Sequence, residues 1–175
     1  MEVDLSPKPV SFSEVTFART MTQADANAVG NVHGGVIMKE VDTAAGTAAA
    51  RHAGHVCVTA SIDELSFLQP VHIGDVLIVK ARVNAVGETS LEVGVRVEAE
   101  PWRGGERRHT TSAYLVFVAL HDDGSGTARV PPLRTESDEE RRREAQALIR
   151  RQVRKERIQR LGSWRPEPPR SDAPG

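Results

Sequence analysis

The residues best placed to do chemistry are the run Asp25-Ala-Asn27-Ala-Val-Gly30-Asn31-Val-His33-Gly34-Gly35 and, seven positions beyond it, Asp42. Two glycines open a segment that reads as an apolar helix over residues 36–52, so Gly34 and Gly35 present bare backbone N–H groups at its positive end. Such a helix start is suited to a carbonyl oxygen or an oxyanion. Asp42 falls near the middle of the same helix, on the face of Gly35, Met38, Ala45 and Ala49. A carboxylate among methyl groups is costly unless it has a task or a partner, which marks it as a candidate base.

The elements that must carry these residues are legible from periodicity. Phe12 to Ala18 alternates as a first strand, the glycine loop and helix follow, and four further strands are expected over residues 56–67, 76–86, 90–100 and 107–121. The clearest places Leu91, Val93, Val95 and Val97 on one face, with Glu92, Gly94, Arg96 and Glu98 on a wetter one. Short glycine-containing turns around Gly87 and at Trp102-Arg-Gly-Gly-Glu106 imply antiparallel neighbours. The helix is rich in alanine (Ala44, Ala45, Ala48, Ala49, Ala50), so a sheet can wrap closely around it. The fold class expected is α+β, an antiparallel sheet curled about one central helix.

Pro131-Pro132 closes the sheet region, and Ser137-Asp-Glu-Glu140 reads as a capping box opening a second, charged helix that runs through Leu161. Its thin apolar stripe lies against its own domain or a neighbouring subunit. Four segments follow: a flexible lead-in over residues 1–11, the main domain over 12–135, the helix over 136–162, and a disordered proline-rich tail over 163–175.

Composition narrows the function. A length of 175 residues suits one well-cored domain with an appendage. A net charge of −1 and a pI near 6.6 give no overall attraction to nucleic acid or anionic membrane. No apolar run approaches the roughly 20 residues that span a bilayer, and the N-terminus lacks a secretory signal, so the expected location is the cytoplasm. The single cysteine, Cys57, excludes an intrachain disulfide.

Several motif-like features favour plain readings. His52, His55 and Cys57 have no convincing fourth metal ligand and straddle a helix end and a strand start, so no metal is expected. No Gly-x-Ser-x-Gly elbow is present, which leaves an α/β-hydrolase route without support. Gly124-Ser-Gly126 is a turn. The arginine-rich stretch from Arg141 to Arg160 is interleaved with glutamates and reads as a solvated face.

Taken together, Asn27-x-x-Gly-Asn-Val-His-Gly-Gly35, Met38-x-x-x-Asp42, Val58-Thr-Ala-Ser-Ile-Asp63 with Phe67-Leu-Gln-Pro-Val71, Gly74-Asp75 and Gly87-x-Thr-Ser-x-Glu-Val93 resemble the hotdog-fold acyl-CoA thioesterases. They are similar in particular to bacterial acyl-CoA hydrolases akin to each half of the mammalian brain-type enzyme. The resemblance spans residues 12–135, with the motifs in the same order.

It implies a hotdog domain, a dimer with a continuous sheet, a trimer of such dimers, and hydrolysis of fatty acyl-CoA to free acid and CoA. No cofactor is implied, because coenzyme A belongs to the substrate. It places the catalytic asparagine on Asn27 and the catalytic acid on Asp42, contributed to one site by opposite subunits. Gly34 and Gly35 would bind the thioester carbonyl, and Asp42 would act as general base on a water or attack directly to give an anhydride. His33 either touches substrate or holds the glycine loop, and Ser61 and Ser90 are candidate CoA-facing hydroxyls. Two other functions compete with the hydrolase. Asp25-x-Asn27 is reminiscent of hotdog enoyl-CoA hydratases, although the proline is missing and the histidine comes late. An acyl-CoA sensor would bind without hydrolysing.

Overall fold

The computed structural model describes residues 4–162. In chain order the elements are β1 (Lys8–Pro9), a 3-10 turn (Val10–Ser13), β2 (Val15–Thr20), a second 3-10 turn (Gln23–Asp25), α1 (Gly34–Ala53), β3 (Val56–Phe67), β4 (Asp75–Val86), β5 (Ser90–Pro101), β6 (Arg108–Leu120), β7 (Leu133–Arg134) and α2 (Asp138–Leu161). The main sheet is antiparallel with strand order β2-β4-β5-β6-β3. It curls around α1, the hotdog architecture that the resemblance implies.

Alanine sets the spacing between helix and sheet. Val41, Ala44, Ala45, Ala48, Ala49 and Ala53 are fully buried, and they meet Leu77, Val79, Val93, Val97, Leu115 and Phe117 from the sheet. A Cβ at Gly46 would already touch the Phe117 ring at 3.5 Å. Gly54 ends α1 in the left-handed region at φ 72°, where its N–H returns to the Ala50 carbonyl at 2.9 Å.

Three expectations are revised. Residues 8–10 are not a free lead-in: Lys8–Pro9 pair in parallel with β7, Lys8 Nζ donates to the His52 carbonyl at 2.8 Å, and Val10 is buried. The first strand starts three residues later than expected, because Phe12 lies in the 3-10 turn that follows Pro9. The wetter face of β5 is largely covered, with Glu92 and Glu98 both under a tenth exposed. Helix α2 lies over that face and begins at the Ser137 capping box as expected. The proposed tail over residues 163–175 lies outside the described residues.

The outer face of the sheet is organised by charge. Glu98 accepts from Lys80 Nζ at 2.7 Å and Arg96 Nε at 2.8 Å, and these hydrogen bonds, Arg96 first, pull its carboxyl from 4.5 down to about 2. A folded-state pKa below the unfolded one gives stability that is present above the unfolded value and is lost as pH falls through the folded one. Glu98→Gln is therefore expected to cost about 1–3 kcal/mol at pH 7, and to flatten the fall in stability between pH 4.5 and about 2. Urea unfolding at pH 7 and pH 3 checks this; equal losses at both pH values would show that the carboxylate is not the stabilising species.

Candidate active site

Asp42 does not sit among methyl groups. Ala45 and Ala49, on its helical face, are fully buried, but Met38 is 41 % exposed and Asp42 itself is exposed, so the carboxylate lies on the seam between α1 and solvent. Its partner is Thr59 of the edge strand β3, whose Oγ1 donates to Asp42 Oδ1 at 2.6 Å. One carboxylate oxygen is thereby oriented, while Oδ2 has no hydrogen-bond partner among the described residues. Thr59 was not singled out by sequence reading. The available signal was a hydroxyl residue in the Val58-Thr59-Ala60 stretch, and only packing shows that it reaches α1.

The glycine pair lies at the helix start as expected, with α1 beginning at Gly34. Its donors are used differently from the expectation. His33 is the N-cap, and its Nδ1 accepts the Gly35 N–H at 2.9 Å, so that donor is occupied. Of the two roles considered for His33, this structure shows the loop-holding one. The Gly34 N–H has no hydrogen-bond partner among the described residues. A side chain at Gly34 would press on the Phe67 ring at 3.3 Å and at Gly35 on His33 Nδ1 at 3.1 Å, so the mouth of the helix is narrow.

Asn27 turns its amide oxygen inward, accepting from the Val29 N–H at 3.0 Å and the Asn31 N–H at 3.1 Å. Among the described residues its Nδ2 donors have no partner, and no hydrogen bond joins it to Asp42 within one chain. The loop is braced by Asp25, which is 4 % exposed. Asp25 Oδ2 accepts from the Thr22 N–H at 2.8 Å and Oγ1 at 3.0 Å, while its carbonyl takes the His33 N–H at 2.8 Å. The backbone N–H of Thr22 is the main cause holding the Asp25 carboxyl below the usual carboxylate range. Arg19 then bridges loop and helix, with Nη2 on Asp25 Oδ1 at 2.6 Å and Nη1 on Glu40 Oε1 at 2.7 Å. One side chain from β2 thus grips residues two positions before Asn27 and two before Asp42. A planar guanidinium carries donors on separate Nη atoms in a fixed fork, so each carboxylate here has its own nitrogen.

Ser61 and Ser90 lie on the opposite face of the sheet from Asp42. Ser61 is level with Val116 and Glu92, the row that faces α2, and Ser90 lines a small cleft with Ala147, Arg151 and Arg154 of that helix. A β-bulge between Thr59 and Ser61 causes the switch of face. The three candidate metal ligands do not converge: His52 Nε2 faces the Pro131 carbonyl at 3.0 Å, and His55 packs edge-on against His121 at 5.5 Å between ring centroids. Burial pushes the Cys57 thiol up to about 11. Among the described residues no group of three metal-ligating side chains is assembled, and no helix is long and apolar enough to cross a membrane.

The architecture of this sheet wrapped around α1 recurs in known proteins similar to this chain. Residues 29–104 match the thioesterase superfamily model, and an acyl-CoA thioester hydrolase of Bacillus subtilis is 35% identical over 73% of this chain and 74% of its own length. The chain belongs to the thioesterase superfamily. It is 34% identical to the cytosolic acyl coenzyme A thioester hydrolase of Rattus norvegicus over 79% of this chain, but spans only 37% of that protein's length. Among solved structures, an acyl-CoA hydrolase of Staphylococcus aureus, in complex with butyryl coenzyme A, coenzyme A and coenzyme A disulfide, matches with TM-score 0.80 and 34% identity. That match covers 89% of this chain and 93% of the other. An apo-hexameric acyl-CoA thioesterase matches with TM-score 0.83 and 34% identity over 87% of this chain and 97% of its own.

Loss of the Arg19 bridge leaves Asp25 buried without its cation. Arg19→Gln is expected to cost about 1–3 kcal/mol, discounted because Arg19 is partly exposed, and Glu40→Gln, which leaves Asp25 paired, less than about 1 kcal/mol. Denaturant unfolding of both variants tests the order; a larger loss for Glu40→Gln would move the centre of the clamp to the helix.

Proposed function

We propose that this chain is an acyl-CoA hydrolase that cleaves the thioester of fatty acyl-CoA to free acid and CoA. The observation that carries the reading is the Asp42 carboxylate, open to solvent on α1 and aimed by Thr59 Oγ1 at 2.6 Å. The named activities of the relatives support it. So do matching structures of the Staphylococcus aureus hydrolase in which one aspartate, one asparagine or one threonine is replaced by alanine, the residue types of Asp42, Asn27 and Thr59.

The thioester carbonyl lies at the start of α1, where the Gly34 N–H donates to its oxygen and the Gly35 N–H joins once the His33 ring swings aside. Removing one such donor typically raises a barrier by about 3–4 kcal/mol. Asp42 takes a proton from a water whose oxygen attacks the carbonyl carbon. The tetrahedral intermediate then collapses, the C–S bond breaks, and the CoA sulfur leaves with the proton that Asp42 held. Direct attack by Asp42, giving an anhydride that water then opens, uses the same groups. These protein groups suffice for either route, with coenzyme A entering as part of the substrate.

The asparagine is supplied from a second copy. Strand β3 is a sheet edge, and Val56, Val58, Ile62 and Phe67 on it, with Met38 of α1, are 40 % exposed or more. Joining two such edges covers these side chains, continues the sheet, and sets Asn27 of one protomer near Asp42 of its partner, giving two equivalent sites. Three such dimers form a hexamer in this reading, in keeping with the apo-hexameric thioesterase above and a hexameric thioesterase of Yersinia pestis, 30% identical with TM-score 0.62 over 66% of this chain. A cytoplasmic location accords with the cytosolic mammalian relatives. The hydratase reading is weakened because both Asp25 oxygens are engaged, by Arg19 and by Thr22.

Thiol release from acyl-CoAs between acetyl and palmitoyl tests the proposal and reads the chain preference directly. Wild type is expected to release CoA saturably, Asp42→Asn to lose at least about a thousandfold in kcat, and Thr59→Val about tenfold with KM little changed. Full activity of Asp42→Asn would overturn the assignment; silent wild type that still binds CoA would favour a sensor, and hydration of crotonyl-CoA a hydratase.

A further inference from the structure

We infer that Arg154 of α2 and Asp63 of β3 are positioning residues for Asp42, because their ion pair locks the bulged backbone that aims Thr59 at the carboxylate. The inference rests on the hydrolase reading above.

Strand β3 is bonded to the sheet along one side only, through β6, and its register is broken twice. Thr59 lies opposite Phe117 and Ser61 opposite Val116, which makes Ala60 an extra residue; Ile62 lies opposite Leu115 and Glu64 opposite Tyr114, which makes Asp63 a second one. The first bulge lets Thr59 point to α1 while Ser61, two residues on, points to α2. Sliding the first bulge back by one residue, onto Thr59, would break its pairing with Phe117 and withdraw it from Asp42. Within one protomer the only strand among the described residues that opposes such a slip is β6.

The restraint comes from across the sheet. Arg154 Nη1 bonds Asp63 Oδ2, with the two side chains 16 % and 10 % exposed, and Ser61 Oγ reaches the other Asp63 oxygen at 3.4 Å, tying the two bulges together. Arg154 is itself anchored one helical turn back. There Arg150 grips Glu92 of β5 with Nε at 3.1 Å and Nη2 at 2.6 Å, and stacks 3.7 Å above the Tyr114 ring of β6. A fixed path therefore runs from the central strands through α2 to the bulged residue of β3.

Apolar packing does not account for the docking of α2. Ala147 is its one buried residue, whereas Leu148, Ile149 and Val153 are 49 %, 64 % and 58 % exposed. Half-buried ion pairs are a poor source of net stability, and specifying register is their best-attested use. That is the task a doubly bulged edge strand sets.

The test combines steady-state CoA release with backbone hydrogen exchange over residues 56–67 for wild type, Asp63→Asn, Arg154→Gln and the double variant. Each single variant is expected to lose about ten- to a hundredfold in kcat with KM within about twofold, as misplaced catalytic groups do. The double variant is expected to be no worse than the poorer single one, because both remove one interaction. Exchange should quicken in β3 while β4 stays protected. Unchanged kcat in an active enzyme, losses confined to KM, additive losses, or unaltered β3 exchange would each overturn the positioning role. Wild type that hydrolyses no acyl-CoA would instead overturn the hydrolase reading on which it stands.

Discussion

The close approach of an alanine face to a curled sheet is the constraint on which the other features depend. With Ala44, Ala45, Ala48, Ala49 and Ala53 all fully buried, α1 lies near enough to β3 for a threonine hydroxyl on the strand to reach an aspartate on the helix. Larger side chains along that face would lift the helix from the sheet and break the 2.6 Å contact. The same packing fixes the direction of the helix start, and with it the line along which the Gly34 N–H points.

Around that apolar centre the molecule uses charge to place its polar parts. Arg19 joins the Asn27 loop to α1, Glu98 collects Lys80 and Arg96, and Arg150 and Arg154 seat α2 on the outer sheet face. Each pair includes at least one carboxylate that is nearly buried, so loss of its cation leaves an uncompensated charge rather than merely a missing contact. Charge of this kind adds little to net stability but tolerates few alternative arrangements, which suits groups that must meet across a subunit boundary.

Much of the architecture was legible because its signals are local. The alternation of Leu91, Val93, Val95 and Val97 gives a strand, Ser137 to Glu140 gives a helix start, and both lie where the pattern places them. The departures arise where distant segments meet. Phe12 reads as strand by alternation, yet the chain turns there because Lys8–Pro9 pairs with β7 more than a hundred residues away. Glu92 reads as a solvent-facing residue until α2 folds over it.

The candidate site divides in the same way. Gly34, Gly35 and Asp42 were singled out as candidates from residue types and spacing, because a helix of 3.6 residues per turn ties Asp42 to the glycine start by local geometry alone, whereas Asn27 came with the family resemblance. Which face of that helix is buried and which hydroxyl aims the carboxylate depend on contacts between distant residues, as with Thr59 and Asp42, 17 positions apart. The sequence by itself determined the chemistry carried by the loop and helix. Tertiary structure alone decided that Asp42 stands open and oriented, because a bulge in an edge strand, held from the far side of the sheet, sets the direction of Thr59.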